Sequence, residues 1–333
     1  MIFTSGIIAL LSGSALTTAL LCYCACVGVR IIRNWDIRSG SELQLELERR
    51  TYLISMMMSY ALGFQLLSLF LFVYTADTLS SLFVGAMCAA GSLKVNGFGY
   101  PALILKITNF LLSGIWLIVN STDNKARDYP LIKIKYGMLL VIAPFLVAET
   151  IVQGVYLLGL KPDIITSCCG TIFSTDANTV VSGLIGLPRG LSQTIFYLSA
   201  LVTLSLGLIF YFKGKGAYAF SISTLISFLT ALAAIISFIS VYIYELPTHH
   251  CPFCILHAEY GYVGYLLYAA LFLSVVSGLG VGAIMPFHSI GSLTGILPRI
   301  QKKLVLISLL SYSAFMSIAA CGIVFSNLSL SAY

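Results

Sequence analysis

The chain has 333 residues, 59% of them hydrophobic and only 9% charged, with a formal net charge of +6. Soluble domains carry about 25% charged residues, so the polar surface of a water-soluble enzyme is missing. The apolar runs are continuous rather than alternating, which excludes a membrane β-barrel. What remains is an all-α, polytopic integral membrane helical bundle.

A spanning helix needs about 20 apolar residues. In chain order eight segments qualify, at about 6–29, 52–74, 100–119, 137–160, 192–212, 217–243, 262–284 and 304–326. The first has no basic stretch ahead of it and carries its charge behind it, so it reads as a span and not as a secretory signal. Leu20-Leu21-Cys22 is too loose a match for a lipoprotein cleavage site. Ahead of the second span, Ser39 and Glu42 have the spacing of a capping box, for a helix that runs through Glu46, Glu48 and Arg50 and extends that span inward.

Alternate connections hold fourteen of the 18 Lys and Arg residues: Arg30, Arg33, Arg38, Arg49 and Arg50; Lys125, Arg127, Lys133 and Lys135; Lys213 and Lys215; Arg299, Lys302 and Lys303. Basic residues concentrate on the cytoplasmic side, so both termini are expected outside. The net positive charge then reflects topology and not a nucleic-acid surface. The sequence predicts one transmembrane domain, 1–333, lying in the lipid bilayer of a prokaryotic cytoplasmic (inner) membrane.

Three expected outer connections are long, at about 75–99, 161–191 and 245–261, and they hold five of the nine cysteines: Cys88, then Cys168 and Cys169, then Cys251 and Cys254. That side is oxidising, where disulfides form and persist. Cys22, Cys24, Cys26 and Cys321 fall in apolar spans and read as small hydrophobes.

The third loop contains His249-His250-Cys251-Pro252-Phe253-Cys254 and, three residues on, His257. The loop leads directly into the seventh span, and Pro252 suits a first helical position, with Cys251 as N-cap and Cys254 one turn inside. Both thiols would face the positive end of the helix dipole, and with His249 and His250 beside them their pKa would fall. The same spacing serves redox exchange, metal ligation or a structural disulfide. The metal reading takes His250, Cys251, Cys254 and His257 as a tetrahedral set. A metal- or haem-binding subunit or permease would draw on the same outer Cys and His ligands, and a non-catalytic scaffold would be stapled by fixed disulfides. Adjacent Cys168 and Cys169 are poorly placed to bond each other. One of them is expected to exchange electrons with another loop or bind a soft metal; the alternative is a fixed disulfide to Cys88.

Lys106 and Glu149 fall inside spans, about 9 Å and 16 Å from the outer ends. Charges at that depth are functional candidates, so they either pair or line a proton path; alternatively Lys106 snorkels outward while Glu149 bonds to a neighbouring helix. Arg189 opens a span and suits a lipid headgroup or a quinone carbonyl. Tyr260, Tyr262 and Tyr265 would flank a flat ring or simply partition to the interface.

Cys251-Pro252-Phe253-Cys254 at the outer mouth of a span, with cysteine-bearing outer loops, resembles the vitamin K epoxide reductase and bacterial disulfide-bond-forming membrane protein families. The stretch from Cys168 through Ser174 to Gly186-Leu187-Pro188 is similar to the first family's loop-cysteine region, and Cys88 with Asn96-Gly97-Phe98-Gly99-Tyr100-Pro101 repeats the likeness more faintly. The resemblance implies a quinone-linked thiol–disulfide oxidoreductase. In it Cys251 and Cys254 lie next to the quinone, Cys168 or Cys169 is the shuttle, and the partner is an outer-face thiol/disulfide or electron-transfer protein. The chain departs from those families in having eight spans instead of four or five, and adjacent instead of spaced loop cysteines.

Overall fold

In hydrocarbon every backbone N–H and C=O must be satisfied within the chain, and a helix does this inside one segment. The computed structural model describes residues 4–37, 39–126, 128–161, 164–166 and 189–328, and among them there is no strand. Among the described residues eight helices are long and apolar enough to cross a membrane, which fits an integral membrane protein. The helices are α1 (Ser5–Asn34), α2 (Glu42–Leu79), short α3 (Ala89–Lys94), α4 (Gly99–Asp123), α5 (Ile132–Leu158), α6 (Arg189–Lys213), α7 (Ala217–Ala234), α8 (Ser240–Tyr244), α9 (Val263–Ile284) and α10 (Leu297–Val324). A π turn at Ile235–Ile239 joins α7 to α8, so the two make one crossing.

The helical extension ahead of the second span is present, but its cap differs from the expected one. The helix starts at Glu42, and the Ser41 hydroxyl accepts from the Gln44 N–H, while Ser39 accepts from the Ser41 N–H. Ser41 sits next to the first helical residue, where a side-chain oxygen reaches the orphan donors of the first turn.

The chain divides into two compact units, Met1–Thr75 with Asn96–Lys161 and Ala283–Ile300, and Ala76–Val95 with Pro162–Gly282 and Gln301–Tyr333. In the first, Leu21, Cys24, Ile31, Met58, Leu62, Trp116, Tyr136 and Leu146 form an apolar core. Lipid tails are as apolar as leucine, so such helices need close packing and hydrogen bonds to choose their neighbours. α1 meets α5 through Thr18 with Thr150, 2.6 Å, and through Gln153, which donates to Ser14 Oγ and the Leu10 carbonyl.

Two buried ion pairs lie in this first unit. Lys106 of α4 donates to Glu149 of α5 at 2.8 Å and to Ser68 of α2 at 2.6 Å, over the face of Phe72. The second Glu149 oxygen accepts from Gln65 and Asn109, each at 2.6 Å. Lys106 therefore pairs and does not snorkel. The second pair escapes a reading of the sequence: Lys135 reaches Asp123 at 2.7 Å and Asn120 at 3.3 Å, and both ionic side chains are buried. Lys135, which the sequence assigns to an inner loop, lies inside α5.

In the second unit the same packing rule appears as Gly278 and Gly282 of α9 against α7. A Cβ at Gly278 would stand 2.5 Å from Thr224 Cγ2, and one at Gly282 the same distance from Ser221 Oγ. The approach lets Ser221 donate to the Gly278 carbonyl at 2.7 Å. Gly278→Ala should lower stability by about 1–3 kcal/mol through overpacking. Gly63→Ala, where nothing stands within 4 Å of the new carbon, should leave it unchanged or raise it by about 0.5–1 kcal/mol. Thermal unfolding in detergent compares the two.

Candidate functional site

The second unit brings together sulfurs that are 163 residues apart in sequence. Cys88 Sγ lies 3.5 Å from Cys251 Sγ, and the sulfurs of Cys88, Cys251 and Cys254 all fall within 4.8 Å of one another. All three residues are buried, Cys88 and Cys251 fully and Cys254 with 7% exposed. Among the described residues this is the only such group of three or more metal-capable side chains.

The helix expected at Pro252 does not form there. Cys254–Leu256 and Ala258–Tyr260 are separate 3-10 turns, Gly261 and Tyr262 have positive φ of 63° and 56°, and α9 begins only at Val263. Two consecutive left-handed residues break the path of the chain, so neither thiol caps a long helix and the dipole effect expected for them falls away. Gly264 is what lets α9 approach the loop, since a Cβ there would stand 2.8 Å from the Ile255 carbonyl oxygen.

Other groups hold the loop. Tyr244 and Tyr268, at the end of one crossing and the start of the next, donate their hydroxyls to the Cys251 and Pro252 carbonyls at 2.6 and 2.7 Å. His250 Nδ1 lies 3.0 Å from the Ile236 carbonyl in the π turn; a carbonyl can only accept, so this nitrogen carries the proton. His257 Nε2 pairs with Asp77 at 2.9 Å, and the same Asp77 oxygen accepts from the Ala89 N–H, next to Cys88. Asp77 thus ties the Cys88 turn to the Cys251 loop. Nothing in its sequence context, at the end of an apolar span, marks it out.

His249 is the histidine that reaches a sulfur. Its Nε2 lies 3.3 Å from Cys254 Sγ, and its ring meets Tyr244 edge to face at 4.8 Å. Burial holds it below the usual imidazole range; His250 pushes the same way and Cys88 opposes. The neutral ring is the form that can accept a thiol proton.

The expected residues are therefore sorted. Cys88, Cys251 and Cys254 converge, and His249 reaches Cys254. His250 and His257 make contacts that hold the loop, so they and the cysteine pair do not form the four-ligand set expected from sequence. Lys106 and Glu149 are joined to each other in the first unit. Cys168, Cys169, Ser174 and 186–188 lie outside the described residues, as does the side chain of Arg189, which opens α6. Tyr260 packs on Tyr244 at 4.9 Å, and Tyr262 on Tyr265 at 6.3 Å. Of the span cysteines, Cys24 is buried, while Cys22, Cys26 and Cys321 are exposed.

Replacing Asp77 with Asn should weaken the tie between the two cysteine turns. The expected result is faster alkylation of Cys88 with little change at Cys321, measured by mass-shift labelling of the folded protein. Equal rates at Cys88 before and after the change would remove Asp77 from the positioning role. No protein family, curated protein or solved structure matches this chain.

Proposed function

We propose that this protein is a membrane thiol–disulfide oxidoreductase whose centre is Cys88, Cys251 and Cys254. The observation that carries the reading is the 3.5 Å separation of Cys88 and Cys251, in a cluster that also contains the Cys-x-x-Cys partner. A disulfide closes at about 2.05 Å, so a shift of about 1.5 Å makes the bond. Cys251 is the central sulfur, able to bond to Cys88 or to Cys254.

Forming an S–S bond from two thiols releases two electrons and two protons, and a membrane quinone taking up both becomes a quinol. His249 accepts the Cys254 proton, since a thiolate and not a thiol is the attacking species. The internal disulfide is reopened when a loop thiolate attacks one of its sulfurs, forms a mixed disulfide and expels the other sulfur as thiolate. We assign that shuttle to Cys168 or Cys169. Thr166, two residues before Cys168, is anchored to the Cys88 hairpin through the Val84 and Gly91 carbonyls, which supports the assignment. A second thiol, on the loop or on an outer-face partner protein, resolves the mixed disulfide. With a reduced carrier the sequence runs backwards.

We place the centre on the outer face of a prokaryotic cytoplasmic membrane, on the strength of the basic-residue count. The test is redox titration with a soluble quinone and its quinol, reading each cysteine by mass-shift alkylation. Reversible, quinone-dependent oxidation of Cys251 with Cys88 or Cys254 supports the reading. Thiols that stay in one state at every poise overturn it.

A further inference from the structure

We propose that the reduced centre is a coordination site for one thiophilic divalent ion of the zinc type, with Cys88, Cys251 and Cys254 as thiolate ligands and His249 Nε2 as the fourth. The site uses the sulfurs of the exchange reading but not their turnover, so the two ideas can fail separately.

Geometry is the first support. Thiolates at about 2.3 Å from a tetrahedral ion stand about 3.8 Å apart, and a thiolate and an imidazole nitrogen about 3.6 Å apart. Cys88 and Cys251 are 3.5 Å apart, His249 Nε2 and Cys254 Sγ 3.3 Å, and no pair of the three sulfurs exceeds 4.8 Å. Adjustments from a few tenths of an ångström to about 1 Å bring the three sulfurs to tetrahedral spacing, while His249, which touches Cys254 but does not lie within 4.8 Å of all three sulfurs, must swing further to complete the set.

Burial is the second. Three sulfurs removed from water favour soft ligation over hydration, and the Tyr244, Tyr268 and Asp77 bonds fix the turns that present them. Such outer contacts orient ligands and strengthen binding.

Charge selects the ion. Three thiolates with a neutral imidazole carry −3, so a divalent ion leaves a residual −1 where a monovalent one would leave −2. An uncompensated buried charge is expensive. A bound ion occupies the sulfurs as thiolates and therefore competes with disulfide formation, holding the centre reduced until it is released. The ion would act as a guard on the same chemistry.

The donor set differs from the one the sequence offers. His250 holds a backbone carbonyl through Nδ1, and His257 pairs with Asp77. Cys88, from a distant loop, and His249 take their places.

The experiment titrates the full chain in detergent, reduced with a phosphine and kept anaerobic, with Co(II) alone and then displaces it with Zn(II). The expected result is one equivalent per chain, with a thiolate-to-cobalt charge-transfer band that zinc abolishes. Cys88→Ser should cut the intensity of the band and weaken binding, His249→Ala should weaken binding about tenfold or more, and Cys22→Ser and Cys26→Ser should leave both unchanged. Should Cys88→Ser fail to fold, the unaltered protein decides: zinc must protect Cys88, Cys251 and Cys254 from alkylation while Cys321 still reacts. No saturable band, a band of unchanged intensity and affinity in folded Cys88→Ser, a band lost in Cys22→Ser, or no zinc protection, overturns the site. Quinone-dependent switching without metal binding would leave the exchange reading standing alone, and metal binding without switching would leave only the site.

Discussion

Cys251→Ser should abolish thiol exchange altogether, whereas Cys254→Ser should only slow it. In a simple Cys-x-x-Cys pair, removing the second cysteine strands the mixed disulfide on the first. Here Cys88 stands 3.5 Å from Cys251, so it remains available to attack the mixed disulfide when Cys254 is gone. The double variant Cys88→Ser with Cys254→Ser removes both resolving thiols within the cluster, and of the three variants it should accumulate the most mixed disulfide at Cys251, with the small reagent or with the loop shuttle. Non-reducing electrophoresis with mass mapping after incubation with a small disulfide distinguishes these outcomes. Full exchange in Cys251→Ser, or a stable adduct in Cys254→Ser alone, would refute the central role of Cys251.

Glu149→Gln should be the most damaging single change in the first unit. Removing one partner of a buried pair leaves the other charge uncompensated, at about 3–5 kcal/mol. The two members are not equivalent. In Glu149→Gln the Lys106 ammonium keeps Ser68, the Phe72 face and a neutral amide oxygen but loses its counter-charge, and the new amide N–H meets the donors of Gln65 and Asn109. Without Lys106, the Glu149 carboxylate still accepts from Gln65 and Asn109. Lys106→Met is therefore expected to cost less than Glu149→Gln. The double change to Met and Leu should recover only part of the loss, because Ser68 and Gln65 then lose these partners and Asn109 keeps only the Phe145 carbonyl. Unfolding midpoints in a single detergent give the ranking, and equal losses for the two single variants would contradict it.

The eight crossings were legible because hydropathy over twenty residues depends on no contact with the rest of the chain. The loop before the seventh span was legible for a similar reason, since Cys251-Pro252-Phe253-Cys254 is a local signal. What brings Cys88 to Cys251 is not local. It depends on Asp77 joining the Ala89 N–H to His257, and no sequence pattern ties position 77 to position 257. The same applies to Asp123 and Lys135, which stand on different helices and look like ordinary charges near helix ends. The seventh span itself starts where hydropathy puts it, at Val263, but the helix expected to lead into it from Pro252 is missing for another reason. Proline at a first helical position is a tendency of helices, and here the left-handed pair Gly261 and Tyr262 intervenes before the helix can run. Ser39 was the wrong cap for a related reason, because Ser41, two residues on, sits closer to the first turn.

Burial of the three sulfurs sets a kinetic condition on all chemistry at the centre. A sealed thiol reacts with an outside reagent only during a local opening, so its modification rate is the product of its intrinsic reactivity and the small fraction of time the loop stands open. Cys321, exposed on α10, has no such gate and serves as a clock within the same molecule. The ratio of the two rates for a small uncharged reagent, once corrected for thiolate fraction, is an opening equilibrium constant. Loosening the Tyr244 or Tyr268 bond to the loop would change that constant without removing any reacting atom.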